Sequence, residues 1–204
     1  MKIIIATHNK DKFKELYTCL STLNLKLISL NQFPEINEIV EDGNTLKKNA
    51  LIKARTVHRL TSFPAIADDT GLEVDALNGE PGIFTARYAG KNCSYSYNIN
   101  KMLTEMEGIP TKKRTATFRT VMAYVDKNME LTSEGFVKGM IFDKIKGLGG
   151  FGYDPIFYVL EKNKTFAEMN IEEKNLVSHR SRAIQALKAE LATYFNAFNI
   201  KGNA

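Results

Sequence analysis

The start of the chain constrains its fold more than any other stretch. Lys2–Ala6 is a short isoleucine-rich run, the pattern of a buried strand. It opens directly into a polar turn, Thr7-His8-Asn9-Lys10-Asp11-Lys12, and a helix follows at once. Phe13, Leu16, Tyr17, Leu20 and Leu23 fall at i, i+3, i+4, i+7 and i+10, one apolar stripe. A buried strand that feeds a helix through a short turn calls for a sheet with helices packed on it.

The rest of the pattern agrees with that start. A second helix is expected over about Thr45–His58, with Thr45 as N-cap and Leu46, Ala50, Ala54 and Val57 as its stripe. Lys53 lies on this stripe, seven residues from both Leu46 and Leu60. Pro64–Ala67 reads as a strand ending at Asp68-Asp69-Thr70-Gly71, and Leu72–Leu77 as a half-buried strand. A third helix carries Ile99, Met102, Leu103 and Met106 and stops at Gly108, with Pro110 beyond. Thr115–Val125 and Leu131–Phe142 are longer β segments, expected to pair antiparallel. A glycine-rich turn, Gly147–Asp154, precedes the strand Ile156–Val159. The last helix starts near Ser178 and shows Ala183, Ile184, Leu187, Leu191 and Phe195 on one face. Strands and helices alternate first and antiparallel strands follow, which defines a mixed α/β class. With 204 residues and neither repeat nor linker, a single domain over 1–204 is expected.

Composition narrows the function classes. No apolar run approaches the roughly 20 residues of a membrane helix, and MKIIIATHNK lacks the length of a signal peptide. A cytoplasmic protein with no membrane partner is expected. Two cysteines, Cys19 and Cys93, exclude a disulfide framework, and three scattered histidines make no zinc pattern. Cys19 reads as a small core residue. The net charge of +5 suits a phosphate-bearing partner, and a small nucleotide satisfies it as well as a nucleic acid. Lys112-Lys113-Arg114 reads as a solvated loop.

Three constellations could carry chemistry. Thr7–Lys12 lies between a buried strand and a helix N-terminus, where backbone N–H groups and the helix dipole favour an anion; a plain capped turn fits the same residues. Asp68 and Asp69 sit at the carboxyl end of a strand, where open α/β sheets place ligands. Two adjacent carboxylates resist burial together, so Mg²⁺ would relieve them, with Glu41 and Asp42 offering further oxygens. A solvated acidic turn is the alternative. Lys53 either snorkels to solvent or neutralises a substrate phosphate in the same pocket. The third group is Phe151, Gly152, Tyr153 and Asp154 with Lys174, Ser178, His179 and Arg180. An aromatic ring could stack on a base there, although the glycines serve a tight turn equally well. Basic residues at a helix start oppose its dipole, which favours a ligand role for them.

Taken in order, these blocks resemble the inosine triphosphate pyrophosphohydrolase family. The resemblance rests on Thr7-x-Asn9-x-x-Lys12, Glu41-x-Gly43, Asn49-Ala50-x-x-Lys53-Ala54, Ala67-Asp68-Asp69-Thr70-Gly71-Leu72, Pro81-Gly82-x-x-x-Ala86-Arg87-Tyr88, Gly149-Gly150-Phe151-Gly152-Tyr153-Asp154-Pro155 and Ser178-His179-Arg180. It covers nearly the whole chain. It implies an elongated mixed β-sheet with flanking helices, two lobes around a central nucleotide-binding cleft, and a homodimer. It implies Mg²⁺-dependent hydrolysis of ITP, dITP or XTP to monophosphate and pyrophosphate. By the same resemblance, Thr7, His8, Asn9, Lys10, Asp11 and Lys12 cradle the triphosphate, with Lys53 assisting. Glu41, Asp68 and Asp69 hold the metal, and Asp69 activates water. Thr70 contacts substrate, Phe151 to Asp154 form the base and sugar pocket, and Lys174, His179 and Arg180 read the base. His8 stands where many members carry Gly, and Thr70 where many carry Ser. Two rival readings are a pyrophosphatase for modified pyrimidine triphosphates and a nucleic-acid-binding module. Ser178-His179-Arg180 argues against the first.

Overall fold

The computed structural model describes every residue except 22, 24, 203 and 204, and the side chains up to residue 196. The N-terminal run forms strand β1 (Lys2–Ile5), and helix α1 (Lys10–Leu20) follows the polar turn. Strand β2 (Lys26–Ser29) runs parallel to β1. Helix α2 (Leu46–Thr61) is capped by the Thr45 hydroxyl, which accepts from the Lys48 N–H. Strand β3 (Ala65–Val74) is one continuous strand, not two. Its acidic pair lies mid-strand, and the apolar residues beyond it keep the chain extended.

The two-residue strand β4 (Pro81–Gly82) pairs antiparallel with β3. Helix α3 (Tyr95–Glu105) starts at a Ser94 cap. Strands β5 (Thr115–Val125) and β6 (Glu130–Ile141) fall within one residue of the expected β segments, and they are hydrogen-bonded neighbours. The short strands β7 (Phe157–Val159) and β8 (Lys164–Thr165) continue antiparallel from β6. Two helices complete the chain, α4 (Ile171–Val177) and α5 (His179–Gly202). The sheet has the order β2-β1-β3-β5-β6-β7-β8, with β4 beside β3, and it mixes parallel and antiparallel pairs.

The chain forms two compact units, each drawn from separate stretches. The first holds Met1–Asp69, Thr120–Gly135 and Arg180–Ala204; the second holds Thr70–Arg119 and Phe136–His179. Strands β3, β5 and β6 each contribute residues to both. The core of the first unit contains Ile3, Ile5, Leu16, Leu20, Ile66, Tyr124, Ile184 and Leu187, so the stripes of α1 and α5 pack where the periodicity placed them, except at Tyr17, which is exposed. Cys19 is only partly buried against that core. The second unit is richer in aromatic rings, with Phe118, Tyr153, Phe157 and Phe166 at its centre.

One surface expectation is overturned. Arg114 does not sit in a solvated loop with Lys112 and Lys113. It is buried, and its guanidinium donates to the carbonyls of Ile141 at 2.8 Å, Met106 at 2.7 Å and Phe142 at 3.2 Å. Five fixed donors let one arginine satisfy several carbonyls at the ends of neighbouring elements. Among the described residues, no helix is long and apolar enough to cross a membrane.

Candidate functional site

In the first unit, the acidic pair of β3 divides. Successive side chains of a strand point to opposite faces, so Asp68 and Asp69 enter different surroundings. Asp69 is buried beside α2. Its Oδ2 accepts from the Asn49 amide at 3.1 Å, and its Oδ1 lies 3.5 Å from Lys53 Nζ. The same Nζ donates to Glu41 Oε2 at 2.8 Å. Lys53 is buried with only 9 % of its surface exposed, so it does not snorkel to solvent. Burial alone would push its ammonium toward neutrality. Asp69, Glu41 and Asp68 together outweigh that, and they hold its pKa above the ordinary lysine value.

Asp68 takes the other face. Its Oδ2 lies 3.2 Å from Lys12 Nζ and 3.4 Å from both Nε and Nη2 of Arg180. The Arg180 Nη1 also donates to Glu15. Asp68 is 1 % exposed, and burial would raise its pKa. Lys12, Arg180 and Lys53 reverse the sign and hold the carboxyl well below the usual range. Asp68 is engaged by the cationic side chains of Lys12 and Arg180, on the strand face opposite to that of Asp69. Arg180 places its guanidinium on Asp68 and Glu15.

The converging carboxylates are therefore Glu41 and Asp69. Among the described residues no set of three or more His, Cys, Asp and Glu side chains gathers as metal ligands. Mg²⁺ needs only one or two carboxylates from the protein, with water and phosphate oxygens completing its shell. The Lys53 ammonium already bridges Glu41 and Asp69, which demonstrates that both can face one cation. The donor set fits Mg²⁺.

The turn after β1 is more self-contained than a bare anion nest. Asn9 caps α1: its Oδ1 accepts from the N–H groups of Asp11 at 2.9 Å and Lys12 at 3.1 Å. The Thr7 hydroxyl accepts from the Asn9 N–H at 3.2 Å. Those backbone donors are already used within the turn. His8 turns aside, with Nδ1 3.0 Å from Asn31 Oδ1 and Nε2 3.1 Å from the Ile36 carbonyl. Lys10 and Asp11 are exposed, and Lys12 is half-buried beside Asp68.

In the second unit, the glycine-rich turn builds a different arrangement. Gly150 has φ of +71°, and a Cβ there would collide with the Asp154 carboxylate. That close approach lets Asp154 Oδ2 accept from the Phe151 N–H at 2.8 Å and from Lys174 Nζ at 2.5 Å. The Lys174 ammonium lies 4.8 Å from the Phe151 ring centroid, and Tyr95 sits 5.9 Å from the same ring on its other contact. Phe151 is only half-buried. Tyr153, by contrast, is a core pillar. Its ring packs near Phe118, and its hydroxyl donates to the Thr85 carbonyl at 3.0 Å. His179 stacks on Phe118, 4.5 Å between centroids and 11° between planes. Thr70 is half-buried at the start of this unit, and Gly152 has φ of +61°.

Two residues that no motif singled out carry structure at these sites, Glu15 and Tyr95, and a third, Asn49, stands in the block Asn49-Ala50-x-x-Lys53-Ala54 with no role assigned to it. Glu15 is a buried acid on α1, beside the apolar stripe. Asn49 stands one turn before Lys53 on the buried face of α2, and an amide on such a face was the signal available. Tyr95 is an exposed aromatic at a helix start, and nothing in its local sequence marks it.

Comparison with known proteins agrees over most of the chain. The Ham1 family model matches residues 3–190. The chain is 46 % identical over 191 residues to the dITP/XTP pyrophosphatase of Geobacter sulfurreducens, covering 93 % of this chain and 96 % of that protein. It is likewise 46 % identical over 193 residues to the dITP/XTP pyrophosphatase of Listeria innocua, covering 94 % and 95 %. Among solved structures it resembles a HAM1 protein from Coxiella burnetii, with a TM-score of 0.85, 39 % identity, and coverage of 95 % and 99 %. The matched span includes both arrangements of buried charge and ring described above. The chain belongs to the Ham1 family and is a pyrophosphohydrolase.

Proposed function

We propose that this pyrophosphohydrolase converts deaminated purine nucleoside triphosphates, ITP, dITP and XTP, to the monophosphate and pyrophosphate with Mg²⁺. The observation that carries this reading is the meeting of Glu41 and Asp69 on the Lys53 ammonium. When bound, Mg²⁺ would be held by Glu41 and Asp69 and would neutralise phosphate charge there. Asp69 takes the proton of a water that attacks the α-phosphorus, and the bond from that phosphorus to the bridging oxygen breaks. Lys53 and Lys12 neutralise charge on the triphosphate, and Lys10 and the Thr7 hydroxyl add further donors. With its backbone donors already used, the turn after β1 serves the triphosphate through side chains. His8, Asn9 and Asp11 hold that turn in shape.

Base reading falls to the second unit. Phe151 offers a ring face for stacking, and Lys174 and His179 donate to O6 of hypoxanthine or xanthine. Adenine presents an N6 donor there, and two facing donors leave buried groups unpaired at about 1–3 kcal/mol each. Gly152, Tyr153 and Asp154 shape the pocket, and Thr70 contacts substrate. Arg180 takes the role of holding Asp68, and Asp68 in turn holds Lys12. We further place the protein in the cytoplasm, as a homodimer acting on free nucleotides and not on nucleic acid. Pyrophosphate release from ITP, XTP, dITP, GTP and ATP, with and without Mg²⁺, tests the proposal. Release from ITP and XTP, fast relative to ATP and dependent on Mg²⁺, is expected. Equal rates on all five, or turnover in EDTA, would overturn it.

A further inference from the structure

The loop Val40–Gly43 belongs to no helix or strand, yet it must present Glu41 to Lys53. One side chain ties it down. Asn49, 1 % exposed on α2, accepts from the Gly43 N–H through Oδ1 at 2.9 Å and donates through Nδ2 to Asp69 Oδ2 at 3.1 Å. The amide can point only one way. A backbone N–H can only donate, so the atom facing Gly43 must be the oxygen. The nitrogen then faces Asp69 and requires an acceptor there, which an ionised carboxylate supplies.

Gly43 is part of the same device. A Cβ at this position would stand 2.5 Å from Asn49 Oδ1 and 2.8 Å from Lys48 Cβ, so any side chain would push the loop away from α2. A plain core position on α2 would take Ala or Leu, as its neighbours Leu46, Ala50 and Ala54 do. A buried amide is costly unless both its ends are bonded. Here both ends are bonded, and each bond fixes one of the two converging carboxylates or the loop that bears it.

We propose that Asn49 is a positioning residue that sets the separation and orientation of Glu41 and Asp69, and so tunes the affinity of this pair for a divalent cation. The inference rests on the pyrophosphohydrolase reading only in taking that cation to be the one the enzyme uses. Asn49 acts through the two carboxylates, donating to Asp69 and holding the loop that bears Glu41.

The test measures Mn²⁺ binding to the nucleotide-free full-length protein by electron paramagnetic resonance, alongside steady-state kinetics. Outer partners of metal ligands typically contribute about 10–100-fold in metal affinity. Asn49→Ala is therefore expected to weaken Mn²⁺ binding at least about tenfold and to raise half-saturating Mg²⁺ by a similar factor. Nucleotide KM at saturating Mg²⁺ should move by less than about threefold, because contacts shared by ground and transition states are untouched. Gly43→Ala lies in the loop rather than the core, and it reaches the same interaction from the other side. It should weaken Mn²⁺ comparably, and the double variant should be little worse than either single one, as members of one unit are non-additive. If both variants melt earlier but bind Mn²⁺ as tightly per folded molecule as the parent, Asn49 is a fold residue only and the proposal falls. A parent that binds Mn²⁺ in an Asn49-dependent way yet releases no pyrophosphate from ITP or XTP would overturn the proposed function and leave this inference standing.

Discussion

The two units hold their site residues by different physics. In the first, charge holds charge. Asp68 meets Lys12 and Arg180, Arg180 meets Glu15, and Lys53 meets Glu41 and Asp69, all largely buried. In the second, a single buried pair, Lys174 with Asp154, works together with a ring and a turn. Phe151 is kept in place by Tyr95, by the Lys174 ammonium and by the Asp154 carboxylate that ties its own N–H. Buried charge pairs are unforgiving, since removing one partner strands the other at low dielectric. Stacked rings degrade gradually, because dispersion and quadrupole terms are spread over many atoms. Substitutions of the buried charges of the first unit should therefore cost stability and chemistry steeply, and those of the rings of the second should cost selectivity by degrees.

The largest effect is expected from Arg180→Ala. It takes the guanidinium from the Glu15 and Asp68 carboxylates in the interior, where Asp68 keeps Lys12, and breaking such a buried set typically costs about 3–5 kcal/mol. Urea unfolding monitored by circular dichroism reads this directly. The pH dependence sharpens it. The Asp68 pKa is lowered in the folded state, so the stability it contributes is present above the ordinary aspartate range, about 3.9, and is lost as pH falls toward the depressed native value. Arg180→Ala should flatten that acid limb. A variant as stable as the parent, with an unchanged acid limb, would break the contrast between the two units.

Next comes Asp69→Asn, which keeps shape but removes both the proton acceptor and a unit of charge. Loss of a general base is worth about 10²–10⁴-fold in rate, and kcat for pyrophosphate release should fall within that range while the protein stays folded. Stability should change less than in Arg180→Ala, because the amide oxygen still serves either Asn49 or Lys53, and Lys53 keeps Glu41. Near-parent kcat at saturating Mg²⁺ would remove Asp69 from its role.

How far these sites were legible in the sequence differs between the units for the same physical reason. Helical stripes are local, so α1, α2 and α5 appeared with their buried faces, and Lys53 was recognised as lying on one of them. Thr45 as the α2 cap and the limits of β5 were equally local. The glycine turn around Gly150 was visible too, although which of its two rings is accessible was not. Tyr153 is a core pillar because its hydroxyl finds the Thr85 carbonyl, a partner 68 residues away. The Asp68–Asp69 division was in principle readable from strand alternation, once the strand was known to run through the pair to Val74. Reading β3 as ending at Ala67 hid it. The partnership of Arg180 with Glu15 spans 165 residues, and no periodicity reports a contact of that kind. Helices and strands can be read from the chain one at a time; ion pairs across it depend on packing.

In the second unit the effects should be smaller and graded. Phe151→Leu keeps apolar bulk and removes the ring face. Stacking of a base on an aromatic side chain is worth about 1–3 kcal/mol, or roughly 5–150-fold in kcat/KM for ITP. Melting temperature should hardly move, since Phe151 is only half-buried. A large loss of stability with unchanged kcat/KM would make Phe151 a packing residue and erase the contrast drawn above.

The smallest effect, and the sharpest probe of how the second unit works, is expected from Tyr95→Leu. Tyr95 is 41 % exposed at the first position of α3, and its ring meets Phe151 at 5.9 Å and 40°. An aromatic pair of this kind contributes about 0.5–1.5 kcal/mol beyond the area it buries, corresponding to roughly two- to tenfold in kcat/KM if all of it serves to hold Phe151 in its stacking pose. Two origins of that factor separate in a double-mutant cycle. If Tyr95 acts by bracing Phe151, its replacement should cost nothing further once Phe151 is Leu, and the cycle shows full coupling. If Tyr95 instead touches the base itself, the two losses should add. Full additivity would thus enlarge the stacking platform to two rings. No effect in either background would shift the holding of Phe151 to Lys174 and Asp154, and would make the second unit depend on buried charge as the first does.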